Sequence, residues 1–520
     1  MKRLAEIAKK SIFGIFALLY VGILLIDLIF QYVDFYRRKE FIIWNIGMVA
    51  ILAVGIAVFY WIYQKKRDTF FQKNRNWKRW MLLFSVLLFL IQVFICYHIY
   101  FMTGWDSGII TANADYVANG QTAELWDWYY SRCPNNSLLT AIYAMIFWVA
   151  KHVGIPSTAV RLLIVFGQCA ISSWTGYILF SCARNLLKGI VAPLMVWGIY
   201  AVLIGLSPWL IIPYSDSSCL FLPILLLWMY QTLDYGKAKY VKCVLMGILA
   251  YLGYEMKPMV IIVLIAILGV ELLENIKEKA NIKKWSVLLI ISASLVATVG
   301  VCKVVNLEKI MGFEINEEAQ FGLTHYLMMG LNEEHSGVFK IEDADYSESI
   351  PTLEQRKREN IRVAVERVKE YGAVGLAKFI VKKTMVNFND GTFAWGQEGD
   401  FYGIPLEIPN SPFRSLLRGL YYDDGEFHVV YETVAQFLWM LVLVGVTLNS
   451  ILLFEKEKMF EKTYLVAIIS LIGIAMFVML FEARSRYLYT FVPLFILIGG
   501  NGYKQLYMLL NKNRKLQKGN

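Results

Sequence analysis

Charged residues stand at the ends of several long apolar stretches of this chain. Asp106 follows one such stretch, Asp216 lies between two others, and Lys257 stands in the turn after a fourth. Arg484 and Arg486 follow another apolar stretch near the end of the chain. Ionisable groups at a membrane boundary are costly unless opposite charges meet them. If all of these residues face the same side of one membrane, they form a single polar site at its surface.

The residue types suit the transfer of a group from a phosphate to a hydroxyl. A carboxylate such as that of Asp106 can take a proton from an acceptor hydroxyl. Lys257, Arg484 and Arg486 can hold a phosphate, because a guanidinium group binds two oxygens at once and an ammonium group adds a point charge. The pattern therefore indicates an enzyme that acts on a lipid-linked phosphate and neutralises that phosphate as it departs.

Each of these residues also has an explanation without catalysis. Asp106 can be a loop or helix-capping residue, Asp216 can pair with a lysine, and Lys257 can extend its ammonium group to the membrane interface. Arg484 and Arg486 can bind lipid headgroups without specificity. The joint pattern is more specific than any one member, because separate segments of the chain supply it.

The composition predicts a protein embedded in a membrane. Of the 520 residues, 58% are hydrophobic and 18% are charged, which is too apolar for a soluble protein of this length. The net charge of +10 does not indicate nucleic-acid binding, because most basic residues lie in short loops between apolar stretches. The seven cysteines have neither metal-site spacing nor a paired pattern.

About twelve stretches have the length and apolarity that a bilayer requires. They are 11–31, 41–63, 80–101, 158–182, 189–211, 217–235, 241–255, 258–275, 286–305, 433–454, 463–480 and 486–505. The basic loop 64–79 predicts a cytoplasmic position, and five further basic segments then fall on the same side, whereas Arg37, Arg38 and Lys39 do not. That agreement requires 137–153 to be a helix in the outer interface rather than a span. We therefore predict an all-α polytopic plasma-membrane protein with cytoplasmic termini and the charged site on the extracytoplasmic side.

The spans divide the chain into four parts: two additional N-terminal helices and a basic loop (1–79), a transmembrane core with the outer loop 102–156 (80–305), an extracytoplasmic segment (306–432), and C-terminal helices with a basic tail (433–520). In the extracytoplasmic segment, an amphipathic helix is predicted near 353–382, with Ile361, Val365, Val368 and Leu376 at helical spacing. The composition of 388–428 predicts a loop-rich surface.

Several short motifs resemble those of GT-C superfamily glycosyltransferases, specifically the family 39, protein-O-mannosyltransferase-like membrane proteins of Gram-positive bacteria. They are Gly104-Trp105-Asp106, Tyr130-Ser131-Arg132-Cys133-Pro134-Asn135-Asn136, Pro213-Tyr214-Ser215-Asp216, Glu255-Met256-Lys257-Pro258, Asp390-Gly391-Thr392-Phe393-Ala394-Trp395-Gly396 and Glu482-Ala483-Arg484-Ser485-Arg486-Tyr487. The resemblance implies a GT-C-like fold and the transfer, with inversion, of a hexose or pentose. The donor would be a polyprenyl-phosphate sugar, and the acceptor a cell-envelope polysaccharide, teichoic acid, lipid or protein.

The same resemblance assigns roles to residues. Asp106 is the candidate catalytic base, with Asp115 in reserve, and Asp216 is expected to orient a sugar or a cation. The remaining substrate-binding candidates are Arg132, Asn135, Lys257, Trp395, Glu398, Glu482, Arg484 and Arg486. For Trp395 and Glu398 the alternatives are a sugar subsite and a plain surface loop.

No cofactor is certain from the sequence, and a divalent cation is the one candidate. The residues that could ligate it are His325, His335 and His428 with Asp343, Asp345, Asp423 and Asp424, although their spacing matches no known metal site. Two other functions stay open. A transporter or flippase of lipid-linked saccharides would need polar residues at the bilayer midplane, and Asp27 is the one acid that favours it. A scaffold without activity would tolerate neutral substitutions at every charged position.

Overall fold

A computed structural model describes residues 2–30, 42–65, 76–187, 189–233, 238–278, 282–396, 409–452 and 461–517. In these ranges the regular secondary structure is helical, without a β-strand, which confirms the predicted all-α class. The helices of the first half are α1 (Lys2–Ile29), α2 (Asn45–Lys65), α3 (Trp77–Ile99), α4 (Asp106–Asn119), α5 (Asp127–Arg132), α6 (Ser137–His152), α7 (Ser157–Leu187), α8 (Val191–Tyr200), α9 (Ser215–Ser218), α10 (Leu222–Gln231) and α11 (Lys239–Met256).

The second half contains α12 (Ile261–Glu278), α13 (Ile282–Val304), α14 (Leu307–Met311), α15 (Gly322–Gly330), α16 (Ile341–Ser349), α17 (Leu353–Phe388), α18 (Pro412–Tyr421), α19 (His428–Leu452), α20 (Lys462–Leu480), α21 (Arg486–Tyr489) and α22 (Val492–Gln517). Seven helices of the described part are long and apolar enough to cross a bilayer, namely α1, α3, α7, α12, α13, α19 and α20. Helix α6, in the stretch predicted to lie in the interface, has 16 residues and is not among them.

Two of the predicted spans are interrupted. Helix α8 ends at Tyr200, continues as a π-helical turn over Ala201–Gly205 and gives way to a 3-10 turn over Pro208–Ile211. Helix α10 has only 10 residues, so the prediction of one continuous helix was wrong for both stretches. Hydrophobic periodicity does not reveal such a break. A backbone group freed inside a membrane needs a new partner, and here the side chain of Gln92 donates to the Gly205 carbonyl at 2.9 Å.

Charged contacts at one end of the helix bundle show which helices begin there and which finish there. At one end, Lys9 of α1 pairs with Glu274 of α12, and Lys462 of α20 lies 2.8 Å from Glu271. The Arg184 guanidinium at the end of α7 stacks at 4.2 Å on the Trp77 ring at the start of α3. Helices α1, α3 and α20 therefore begin at this end, and α7 and α12 finish there, in the order that the basic loops predict. We call the opposite end, where α3, α8, α11 and α20 finish, the site end.

One face of the N-terminal helix α1 packs against the bundle. Its side chains Phe13, Phe16, Tyr20 and Ile23 are buried, and the Tyr20 hydroxyl donates to the Leu471 carbonyl of α20 at 2.9 Å. The assignment of 1–79 to an additional unit stays a prediction, but α1 contributes to the same hydrophobic core as α12, α19 and α20.

The helix predicted near 353–382 exists, but the residues predicted at helical spacing do not form its buried stripe: Val368 and Leu376 are only half-buried. Helix α17 reaches Phe388 and breaks at Gly372, where φ is 57°. Ile361 and Val365 are exposed, whereas the stripe of Arg356, Asn360 and Ala364 is buried. Hydrogen bonds account for the burial of this stripe. The Arg356 guanidinium donates to backbone carbonyls of Glu318, Gln320, Ser347 and Ile350.

The prediction of a loop-rich surface is also wrong for the start of 388–428. Asn389, Asp390, Phe393 and Trp395 are buried, and a Cβ atom at Gly391 would overlap the Ala435 backbone of α19. This buried turn begins where α17 ends, so it joins the segment between the spans to the site end of the bundle.

Small residues bring α19 and α22 together. A Cβ atom at Gly502 would overlap the Gly445 carbonyl oxygen, and one at Gly445 would lie 2.7 Å from the Gly499 carbonyl oxygen. Glycines of this kind let two membrane helices approach to backbone contact. We expect Gly502→Ala to lower the free energy of unfolding by about 1–3 kcal/mol, because the helices must separate or shift.

The matched control is Gly198→Ala in α8, where an added Cβ atom meets nothing within 4 Å. Replacing a helical glycine by alanine in open space is neutral or stabilising by up to about 1 kcal/mol. Unfolding of the purified protein in mixed detergent micelles measures both. Equal stabilities for the two variants would contradict the close approach of α19 and α22.

Candidate functional site

One buried carboxylate at the site end lies between two cations from distant segments. The Lys257 ammonium group donates to Oδ1 of Asp216, and Nε of Arg486 lies 3.4 Å from Oδ2. All three side chains are less than a tenth exposed, with Asp216 at 2%. Counted alone, these three side chains comprise two cations and one carboxylate.

The local sequence explains why Lys257 turns inward. A residue before proline is driven out of the helical region, and Lys257, which precedes Pro258, is extended with φ −150° and ψ 97°. Helix α11 therefore ends at Met256, and the lysine side chain points to Asp216 instead of continuing along the helix. The interface-seeking alternative for Lys257 is wrong, because its side chain is buried.

Asp216 is held by the interruption between α8 and α10. It lies in the one-turn helix α9, which follows the extended residue Tyr214. The Ser217 hydroxyl donates to the Trp209 carbonyl at 2.9 Å, and the Thr490 hydroxyl donates to the Asp216 carbonyl at 2.9 Å. The second bond ties this turn directly to the segment that carries Arg486.

Aromatic rings surround the Arg486 guanidinium. Its central carbon lies 4.7 Å from the Trp105 ring centroid, 5.4 Å from Tyr214, 5.6 Å from Tyr487 and 5.8 Å from Trp209. Each of these distances is within the range of a cation–π attraction, which strengthens when water is excluded. The rings therefore fix the position of the cation and leave its charge intact.

Asp106 lies beside this aromatic box. It is the first residue of α4, where the helix dipole favours a negative charge, and it is half-buried. The Tyr214 hydroxyl donates to Oδ2 of Asp106 at 3.0 Å. Burial, and then the nearby Asp106 carboxylate, raise the pKa of Tyr214 well above its ordinary value. Tyr214 therefore keeps its proton and connects Asp106 to the ring cluster around Arg486.

The segment between the spans fixes the loop that carries Glu482 and Arg484. The Ala483 amide donates to the Gly337 carbonyl at 2.7 Å, and the Arg484 amide donates to Oδ1 of Asn387 at 3.1 Å. The buried Lys383 ammonium group donates to the Phe481 carbonyl at 2.6 Å. These bonds hold the loop on the end of α17.

The ionisable groups of the site act on one another. Burial raises the pKa of Glu482 to about 7, while the Tyr487 hydroxyl and the charges of Arg486 and Arg484 oppose the rise and the Asp106 carboxylate adds to it. Glu482 is half-buried and is therefore protonated below about pH 7. Because Asp106 and both arginines act on Glu482, they share one electrostatic environment.

The structure thus brings Asp106, Asp216, Lys257 and Arg486 together, with Glu482 and Arg484 in the adjoining loop. Asp115 is elsewhere: nine residues after Asp106 on α4, it lies about 13 Å along the helix axis. Its carboxylate accepts from the Ser157 hydroxyl at 2.7 Å and lies 3.7 Å from the Arg161 guanidinium. These contacts connect α4 to the start of α7.

The other predicted substrate-binding residues lie around this centre. Arg132 pairs with Glu348 and stacks at 5.0 Å on the Trp128 ring, and Asn135 donates to the side chain of Asn136 at 3.4 Å. Trp395 is buried and is not a surface residue. Its ring centroid lies 5.4 Å from that of Trp209, which is one of the rings around Arg486. Glu398 lies outside the described residues.

Three of the seven residues proposed as metal ligands are engaged in other contacts. His325 is hydrogen-bonded to the Ser347 hydroxyl at 2.8 Å, Asp343 pairs with Arg367 at 2.6 Å, and His428 lies 3.5 Å from Glu432. Across the described ranges, no group of three or more His, Cys, Asp or Glu residues is arranged to hold a metal ion.

Four residues of the site were not assigned a role from the sequence: Trp105, Tyr214, Lys383 and Asp390. Asp390 accepts hydrogen bonds from the Thr392 hydroxyl and, at 3.2 Å, from the Ser485 hydroxyl next to Arg484. Trp105, Tyr214 and Asp390 belong to the motifs of the resemblance, which is the signal that could have found them. Lys383 has no such signal, because it lies on a helix rich in lysine.

Comparisons with known proteins give a family and one distant structural likeness. Residues 4–505 match a family described as conserved hypothetical integral membrane protein, and no curated protein matches the chain. Among solved structures, the chain is similar to the archaeal oligosaccharyltransferase AglB from Archaeoglobus fulgidus, in complex with an inhibitory peptide and a dolichol-phosphate. The identity is 10% and the TM-score 0.39, over 86% of this chain and 52% of that one. The chain thus spans about half of that protein, and we draw no conclusion from the likeness.

The contact between Asp216 and Lys257 predicts a specific pattern of stabilities. We expect Asp216→Asn to lower the free energy of unfolding by about 3–5 kcal/mol, because it leaves two buried cations without their carboxylate. The double variant Asp216→Asn, Lys257→Met should lose less than the sum of the two single variants, because it removes one of those cations. Unfolding in detergent measures all three, and additive losses would contradict a direct ion pair.

Proposed function

We propose that this chain, which belongs to the family described as conserved hypothetical integral membrane protein, is a glycosyltransferase of the GT-C type. It would transfer a sugar from a polyprenyl-phosphate carrier to a cell-envelope acceptor at the extracytoplasmic face of the plasma membrane. The observation that carries the proposal is that Tyr214, whose hydroxyl donates to Asp106, lies against the guanidinium of Arg486, in a cluster where two buried cations face one carboxylate.

The cationic cluster suits the phosphate of the donor. Asp216 offsets one of the charges of Lys257 and Arg486, and Arg484 lies in the adjoining loop, so an anion completes the cluster. A polyprenyl-phosphate sugar is such an anion, and it reaches the protein from the bilayer through its apolar chain. The aromatic box around Arg486 limits water, and electrostatic stabilisation of the departing phosphate is strongest where water is excluded.

Asp106 suits the role of general base. In the transfer, the acceptor oxygen forms a bond to the anomeric carbon while the bond from that carbon to the phosphate oxygen breaks. The proton of the acceptor hydroxyl passes to Asp106, and the electron pair of the broken bond remains on polyprenyl phosphate. The Tyr214 hydroxyl occupies Oδ2, whereas Oδ1 has no hydrogen-bond partner in the described part of the chain. One displacement with one base inverts the anomeric centre.

Asp216 is assigned to holding the two cations rather than to contacting the sugar, because both of its oxygens face Lys257 and Arg486. The described residues offer no ligand set for a divalent cation, so no step of this proposal passes through a metal. Asp115 takes no part, since Ser157 and Arg161 engage its carboxylate.

The base assignment predicts that Asp106→Asn lowers the rate of sugar transfer by about 10²–10⁴-fold, the usual contribution of a general base. Donor affinity should change little, because the phosphate is bound by the cations. The measurement is polyprenyl phosphate released by purified protein from a panel of polyprenyl-phosphate sugars, with acceptor membranes present. Asp115→Asn is the matched control on the same helix and should keep its activity. Full activity of Asp106→Asn at normal protein levels would refute the assignment.

Glu482 predicts a pH dependence of donor binding. Since its pKa is raised to about 7, the carboxyl group is neutral below that pH and carries a charge above it. The charged form competes with the donor for Arg484 and Arg486. The affinity for a polyprenyl-phosphate sugar, a phosphodiester that does not titrate in this range, should therefore fall several-fold as the pH rises from 6 to 8.

The control is Glu482→Gln, which cannot ionise and should bind the donor with the same affinity at both pH values. Binding of a fluorescent short-chain polyprenyl-phosphate sugar in detergent measures the two profiles. An unchanged pH dependence in the Gln variant would show that Glu482 is not the titrating group.

A further inference from the structure

Two tryptophans on the outer-loop segment 121–132 form an exposed aromatic surface. Trp126 and Trp128 are 36% and 52% exposed, although tryptophan is usually buried for most of its area. Their rings are nearly parallel, with centroids 6.4 Å apart and an interplanar angle of 19°. Neither indole N–H donates a hydrogen bond within the described ranges. We call Trp126, Trp128 and the adjacent Arg132, whose guanidinium stacks on Trp128, the tryptophan platform.

The platform is fixed rigidly. The Trp126 amide donates to Oδ1 of Asn113 of α4 at 2.9 Å, and Asp127 accepts from the Glu314 amide at 3.0 Å. Arg132 pairs with Glu348. The exposure of the two rings is therefore a property of the folded loop, because the backbone on either side of them is hydrogen-bonded to other elements.

The platform is continuous with the candidate site. Trp128 packs edge to face on Tyr129 at 5.9 Å, and Tyr129 is buried on the inner side of the same short helix, α5. The Asp106 carboxylate contributes, after burial, to the raised pKa of Tyr129. The inner face of this helical turn thus carries Tyr129, on which the candidate base acts electrostatically, and its outer face carries the tryptophan platform.

The surroundings of the platform favour a hydrated ligand over lipid. Glu124 and Glu348 are exposed next to it, and Asp127 and Arg132 are half-exposed. Hydrocarbon against these charges would be costly, and the acids would repel anionic headgroups. A pyranose ring fits both features, because the C–H bonds on its face pack on an indole while the hydroxyls on its rim bond to carboxylates and guanidinium groups.

We propose that the tryptophan platform is a subsite for a sugar residue of a glycan, on the face of α5 opposite Tyr129. Only the statement that this glycan is the acceptor rests on the proposed function, and it then selects polysaccharide among the acceptor classes. One residue of the glycan stacks on Trp128 and Trp126, and the acceptor hydroxyl belongs to another residue of the same glycan.

The test measures glycan binding without donor. Saturation-transfer NMR is recorded on the purified full-length protein in detergent with maltotetraose and with tetra-N-acetylchitotetraose. We expect transfer to the ring C–H protons of at least one of them, lost in Trp126→Ala and Trp128→Ala. Trp148→Ala is the matched control, because Trp148 is equally exposed, at 53%, but lies on α6; this variant should keep the signal. An unchanged signal in both platform variants, or no signal from the wild-type protein, would overturn the proposal.

A second measurement separates this inference from the proposed function. If transfer is detected, Trp128→Ala should raise the KM for a glycan acceptor about tenfold, equivalent to one aromatic contact, and leave kcat and the KM for donor unchanged. Transfer with an unchanged acceptor KM would refute the subsite alone. Glycan binding that depends on the platform, in a protein that releases no polyprenyl phosphate, would refute the glycosyltransferase and keep the subsite.

Discussion

One buried carboxylate between two cations is the interaction on which the site depends. Asp216 comes from the turn between α8 and α10, Lys257 from the end of α11, and Arg486 from the start of α21. Burial makes each charge costly by itself, and breaking such a pair costs more than the pair contributes. The ion pairs therefore hold the three segments together at one point, where two cations face one carboxylate.

The surrounding fold positions these charges at one place. The interruption of α8 and α10 moves Asp216 away from regular helix, and Pro258 turns Lys257 inward. The segment between the spans reaches the same point through Lys383, Asn387 and Asp390, which hold the loop of Arg484. Elsewhere in the bundle, α19 packs closely on α22 at glycine and one face of α1 is buried against the core. A rigid frame suits electrostatic stabilisation, because donors that are already oriented need no reorganisation during reaction.

Sequence reasoning found the charges and missed the polar and aromatic framework. Asp106, Asp216, Lys257 and Arg486 could be predicted because a charge at the end of an apolar stretch is unusual and needs a cause. Tyr214 stands in one of the quoted motifs, but a tyrosine at an interface is common and was given no role. Arg132 stays a predicted substrate-binding residue, and its pairing with Glu348, 216 residues away, is a contact that no local pattern can reveal.

The same limit applies to the helices. Apolar length identified the seven helices of the described part that can cross a bilayer, because burial against lipid or protein demands it. The break in α8 escaped prediction, because its residues are as apolar as the rest and only the side chain of Gln92 makes it tolerable. The buried face of α17 was missed because Arg356 is buried through hydrogen bonds to carbonyls, whereas periodicity counts only apolar residues.

The most direct test of the account is a cryo-EM reconstruction of the purified protein with a non-hydrolysable polyprenyl-phosphonate sugar. The account predicts the phosphorus atom within hydrogen-bonding reach of Lys257 and the Arg484–Arg486 pair, with the sugar lying between it and Asp106. A phosphorus position at the opposite end of the bundle, or an Asp106 carboxylate turned away from the sugar, would contradict it.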